Sequence, residues 1–107
     1  MDNQFECVDT RYVDGGADRS TLIQKNAVKV HWISFFPEST ATAGVIQMYD
    51  GFDNGGKLKW QHEPAYAGHK IFIPPFLCRQ GLFIFTNAAL GGYTIGYCPV
   101  SRDREQS

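Results

Sequence analysis

The sequence has no helix-length apolar run, no cluster of basic residues, no C-x-x-C pair and no H-x-x-x-H pair. Each absence removes a class of function. A membrane-crossing helix needs about 20 mostly apolar residues. The only long uncharged stretch, between Arg79 and Arg102, contains Thr86, Asn87, Gly91, Gly92, Tyr93, Thr94, Gly96 and Pro99. That is too polar and too broken for a spanning helix, and we read buried strands there instead. A formal net charge of -1 with dispersed basic residues creates no field that would gather nucleic acid or an anionic membrane. The opening segment, MDNQFECVDTRYVDGGADRS, has neither a basic n-region nor an apolar h-region, so we expect no export and reduced thiols. Cys7, Cys78 and Cys98 are an odd set of which at most two can pair within one chain, and buried, unreactive thiols are expected.

Catalytic signatures are also missing. His31, His62 and His69 have no short metal-ligand spacing, and His31 and His62 fall in strand-like segments, which suits structural or exposed histidines. Ser, His, Asp, Cys and Glu are all present, but no G-x-S-x-G elbow or family-type cysteine signature organises them. We assign no catalytic residue, no metal ligand and no cofactor-binding residue, and expect a protein that is not an enzyme.

One stretch does invite a chemical reading. DGFDNGGKL, residues 50–58, contains G-x-x-x-x-G-K and part of a calcium loop. A phosphate-binding loop needs Ser or Thr after the lysine, to hold magnesium, and a helix N-terminus whose amides face the phosphates. Here Leu58 follows Lys57, the next residues alternate as a strand, and Asp53 would repel a triphosphate. Counted from Asp50, the third and twelfth calcium-loop positions are Phe52 and Gln61, neither of which supplies the required carboxylate. The segment is therefore expected to be a hairpin loop rich in turn dipeptides.

What is abundant is strand pattern. In KLKWQH, Leu58, Trp60 and His62 alternate with Lys57, Lys59 and Gln61. AVKVHWISFF predicts a long strand ended by Pro37, and AGVIQMYD, KIFI, GLFIFT and YTIGYC predict others, the last two flanking NAALGG as a hairpin-sized connection. A further strand is expected around FECVDTRYV, ended by DGGADRS. Seven or so short strands with Gly, Pro, Asn and Asp connections predict an all-β protein, an antiparallel β-sandwich of jelly-roll or immunoglobulin-like type, with a barrel as the alternative. Trp32, Trp60, Phe72, Phe83, Phe85 and Ile95 are the expected core contributors. Residues 1–24 are expected as an N-terminal arm or edge strand, 25–100 as the sandwich domain and 101–107 as a polar tail.

VIQMYDGFDNGGKLKW, followed by IFIPPFLCRQGLFIFTNAALGGYTIGYCP, resembles a pattern of small virion proteins from tailed bacteriophages: a YDG hairpin, a strand, a Pro-containing approach to G-L with a β-rich run, and a final aromatic strand. The resemblance covers roughly residues 28 to 98. It implies a capsid decoration protein, also called a cement or staple protein, that binds the outside of the shell and clamps neighbouring subunits. The implied partners are the major capsid protein and further copies of this chain, with no nucleic acid, membrane or small-molecule substrate. The implied location is the capsid exterior after synthesis in the bacterial cytoplasm. The resemblance carries no residue-level binding motif. Within the polar N-terminal segment we take Arg11, Tyr12 and Val13 as anchors, and Phe36, Pro74, Pro75 and Phe76 as an apolar contact at the sandwich edge. A receptor- or glycan-binding module of a phage tail or fibre is the alternative.

Overall fold

The computed structural model describes residues 8–38 and 43–100. They form eight strands: β1 (Asp9–Asp14), β2 (Arg19–Gln24), β3 (Val28–Pro37), β4 (Ile46–Asp50), β5 (Lys57–His62), β6 (Gly68–Cys78), β7 (Leu82–Thr86) and β8 (Leu90–Pro99). Two four-stranded antiparallel sheets stack face to face, one in the order β1-β8-β3-β6 and the other in the order β2-β7-β4-β5. We call them the first and second sheets.

Their pairing is nested. β4 pairs with β5, β3 with β6, β2 with β7 and β1 with β8, and successive pairs fall alternately in the two sheets. A long hairpin rolled up in this way is a jelly roll, so the sandwich is of that type, neither immunoglobulin-like nor closed into a barrel. The nesting also corrects one connection. NAALGG carries the chain from β7 in one sheet to β8 in the other, so it is a crossover between sheets.

Alternation places the core. Val28, Val30, Ile33 and Phe35 of β3, Val13 of β1, Tyr93 and Ile95 of β8, Ile46 and Met48 of β4, Leu82 and Ile84 of β7 and Ile23 of β2 are buried between the sheets. β3 keeps facing inward on both sides of a register shift between Val30 and Trp32. The shift moves Trp32 to the outer face, so this residue does not join the core as expected. Phe85 is likewise half-buried, opposite Ser20 and Gln47 on the outer face of the second sheet. Ile95 and Phe83 are buried, and Trp60 and Phe72 pack against the core from its margin.

That margin is closed by rings. Where β5 and β6 form the open edge, Phe35 and His62 lie 5.2 Å apart by centroid, His62 and Trp60 5.7 Å, Trp60 and Phe72 5.6 Å and Phe72 and Phe76 4.8 Å. The chain of rings spans both sheets and excludes water from a gap that neither backbone can close. β6 itself runs on through Pro74 and Pro75, beyond the end expected for the KIFI strand, with a cis Ile73-Pro74 bond. Proline donates no ladder hydrogen bond, which an edge strand tolerates. Residues 72–75 bulge away opposite His31 while pairing resumes at Phe76.

The N-terminal segment is built into the sandwich. β1 is the edge of the first sheet and β2 the edge of the second, so residues 9–24 are structural strands and the arm reading does not apply to them. The β2 strand was not anticipated separately. Residues 1–7 and 101–107, including the expected tail, lie outside the described residues.

Candidate functional site

The loop at 50–57 is a strap between two turns. It joins β4 to β5 as expected, and the Gly55 N–H donates to Asp53 Oδ1 at 2.8 Å in an Asx-type turn. Asp50 is turned toward the β6–β7 turn. Its two carboxylate oxygens accept the backbone N–H groups of Arg79 at 3.0 Å and Gln80 at 2.8 Å, while the Gly51 N–H donates to the Gly81 carbonyl at 3.2 Å. The carboxylate therefore ties the β4–β5 turn to the β6–β7 turn. Among the described residues no group of three or more His, Cys, Asp or Glu side chains is arranged to hold a metal ion.

The cysteines divide. Cys78 is free and fully buried, and burial pushes its thiol up to about 12, with the Asp50 carboxylate adding to the rise and Lys59 opposing it. Such a thiol is a poor nucleophile. Cys98 is disulfide-bonded, so the expectation of reduced thiols fails at this position. A Cys78–Cys98 pair is excluded because Cys78 is free. Burial also pushes the Tyr93 phenol to about 12, against lowering by Thr21, Arg11 and Arg19. Thr21 lies near the Tyr93 hydroxyl without the geometry of a well-formed hydrogen bond, and that oxygen is buried and unpaired.

The outer face of the first sheet gathers what the interior does not. Directly paired residues share a face of an antiparallel sheet, so the register gives its rows. Ile71, Trp32, Gly96 and Thr10 form one row; His69, Ser34, Thr94 and Tyr12 form the next; Phe36, Gly92 and Asp14 form the third. Glycines in β8 let the rings lie down. A Cβ at Gly92 would stand 2.5 Å from the Tyr12 hydroxyl and 3.1 Å from Phe36 Cζ, and one at Gly96 would collide with the Trp32 indole. Tyr12 is nevertheless 52% exposed, Phe36 42% and Ile71 54%. The result is a low aromatic and aliphatic surface on a rigid sheet, which is what an interaction face requires and a core does not.

The structure brings two of the seven proposed contact residues together here, Tyr12 and Phe36, from β1 and β3 on either side of β8. Strand alternation separates Tyr12 from its neighbours. Arg11 and Val13 sit on the inward side, opposite Ile95 and Tyr93; Val13 is buried in the core and Arg11 reaches solvent at the edge. Pro74, Pro75 and Phe76 lie across the sheet on β6. Pro74 is exposed beside Ile73, Pro75 is half-buried, and Phe76 belongs to the chain of rings that closes the β5–β6 edge. Three participants in the face were not among the seven. Ile71 carried no distinguishing signal, Trp32 was assigned to the core, and Asp14 became noticeable only beside Tyr12.

The Tyr12 phenol is raised above its ordinary pKa, first by desolvation against the sheet, then by the nearby Asp14 carboxylate and by the charge of Glu38. The aromatic face is thus rimmed by negative charge. A Cβ at Gly16 would stand 3.6 Å from Glu38 Oε1, which places this carboxylate near the β1–β2 turn.

No protein family matches the sequence and no curated protein does. Fold and surface together define a jelly roll whose first sheet carries exposed aromatic and aliphatic side chains on its outer face.

Proposed function

We propose that the chain is a non-enzymatic structural protein of a bacteriophage virion, a capsid decoration protein that binds the outer shell and clamps neighbouring capsid subunits. The observation carrying this reading is the outer face of the first sheet, where Tyr12, Phe36 and Ile71 stand exposed around Trp32 on a scaffold fixed by the core beneath. A decoration protein needs such a face and no pocket. A partner that binds only the assembled shell stabilises it by mass action, and repetition over many sites makes a modest contact effective. The resemblance in residues 28 to 98 supplies the virion context, and the major capsid protein, with further copies of this chain, is the partner it implies. Jelly rolls serve in viral capsids and in lectins alike.

A second reading draws on the same face. Rings lying flat on a sheet can stack against sugar rings, which favours a receptor- or glycan-binding module of a phage tail. One experiment separates the two. Purified protein is mixed with undecorated shells and, in parallel, with host cells, and each is sedimented. Co-sedimentation with shells is expected; attachment to cells without attachment to shells overturns the decoration reading in favour of the tail module.

A further inference from the structure

The rim of the aromatic face has a sign. Asp14 lies in the Phe36–Gly92 row, Tyr12 reaches over Gly92 from the adjacent row, and the Glu38 charge is felt at the Tyr12 hydroxyl. Both carboxylates are exposed, and neither forms an ion pair among the described residues. The cations of this region are elsewhere. Arg11 is on the inward side of β1.

We infer that Tyr12, Phe36, Asp14 and Glu38 form a seat for an arginine or lysine side chain, so that this face docks a basic segment of its protein partner. A guanidinium is donor-only and planar. It stacks on an aromatic face while its N–H groups are taken by carboxylates, and here the Tyr12 hydroxyl and the tip of the Phe36 ring both lie over Gly92, with the Asp14 and Glu38 carboxylates near. A sugar hydroxyl can donate to the same carboxylates, but only a cation also gains from their charge. Exposed ion pairs contribute little singly, so the stacked, partly desolvated rings must carry the contact and the carboxylates must select the occupant.

The partner's identity as capsid protein rests on the decoration reading, whereas the chemistry of the seat does not. The test therefore has two arms. In the first, undecorated shells are mixed at low and at high salt with wild type, Asp14→Asn/Glu38→Gln, Phe36→Ser and, on the opposite sheet, Leu58→Ser, each checked for an unchanged fold by circular dichroism. The double variant and Phe36→Ser are expected to bind about tenfold more weakly. Wild-type binding should fall with salt, the double variant should lose that dependence, and Leu58→Ser should bind as wild type. In the second arm, amide NMR spectra of the free protein are recorded with the dipeptide Ac-Arg-Arg-NH2, with Ac-Gln-Gln-NH2 and with maltotriose. Shifts confined to residues 12–14, 36–38 and 91–93 with the arginine peptide alone support the seat. Shell binding by wild type that the double variant retains overturns the inference and leaves decoration standing. Failure of wild type to bind shells, with arginine-specific shifts present, overturns decoration and leaves the seat. Shifts with maltotriose, or with no probe, overturn the seat.

Discussion

Replacing Asp50 by Ala should loosen one end of the sandwich without touching the core. The carboxylate accepts two backbone N–H groups, from Arg79 and Gln80, at 3.0 and 2.8 Å. Hydrogen bonds to a charged acceptor contribute about 1.5–3 kcal/mol each when water competes little. These are exposed bonds, so the lower end applies, and a combined loss of about 2–3 kcal/mol is expected. In a domain of this size that lowers Tm by roughly 10–20 °C. Asp50→Asn, which keeps one side-chain carbonyl acceptor, should fall between wild type and Asp50→Ala. Lys57→Ala, at an exposed position of the same loop, should change stability by less than about 0.5 kcal/mol. Thermal unfolding followed by circular dichroism, with and without calcium, provides the measurement. A Tm loss of only a degree or two for Asp50→Ala would refute the strap. A saturable rise in wild-type Tm with calcium, absent in the variant, would show that the carboxylate serves a cation instead.

Met48→Ala, at a fully buried position of β4, should cost about 2–5 kcal/mol by denaturant titration, whereas Leu58→Ala, exposed on the next strand, should cost far less. Alkali should destabilise the protein: Cys78 ionises at about 12 when folded against an ordinary 9.0, so its contribution is complete below pH 9 and is lost as pH rises toward 12. Tyr93, raised from 10.0 to about 12, acts in the same direction. Urea titrations from pH 8 to 11 should therefore show stability falling, less steeply in Cys78→Ala. Dithiothreitol should lower the Tm of wild type and of Cys78→Ala equally, because the bond that it breaks involves Cys98; a larger drop in one than in the other would contradict that division of roles.

The strands were legible because period-two alternation is local, and so was the β4–β5 hairpin, whose turn dipeptides lie within one loop. What the sequence hid was set by partners far along the chain. NAALGG looks like a hairpin loop because a tight turn carries no signal of which sheet the next strand joins. Asp50 resembled a ligand because the amides that it holds are 29 and 30 residues away. Trp32 looked like core because bulk and β-rich neighbours do not reveal a register shift that turns one side chain outward. Strand β2 was concealed behind DGGADRS, where Arg19 and Ser20 show no apolar alternation. At the candidate face, Tyr12 and Phe36 were identifiable singly, but their meeting over Gly92 depends on β8 lying between β1 and β3. Alternation could have warned that Arg11, Tyr12 and Val13 would not share one face.

The nested pairing has a kinetic consequence. The outermost contact joins Asp9 to Tyr97, so β1 waits for nearly the whole described chain before it finds its neighbour. During synthesis the first-made strand is the last to be paired. Closing an 88-residue gap directly would be slow, since non-local contacts must overcome loop entropy before they contribute stability. Nesting shortens the gap: once the six-residue turn between β4 and β5 closes, β3 and β6 are held near each other, and each inner pair reduces the search left to the next. A ribosome-bound chain should therefore acquire its outer face last, with Tyr12 reaching Phe36 only after β8 has emerged.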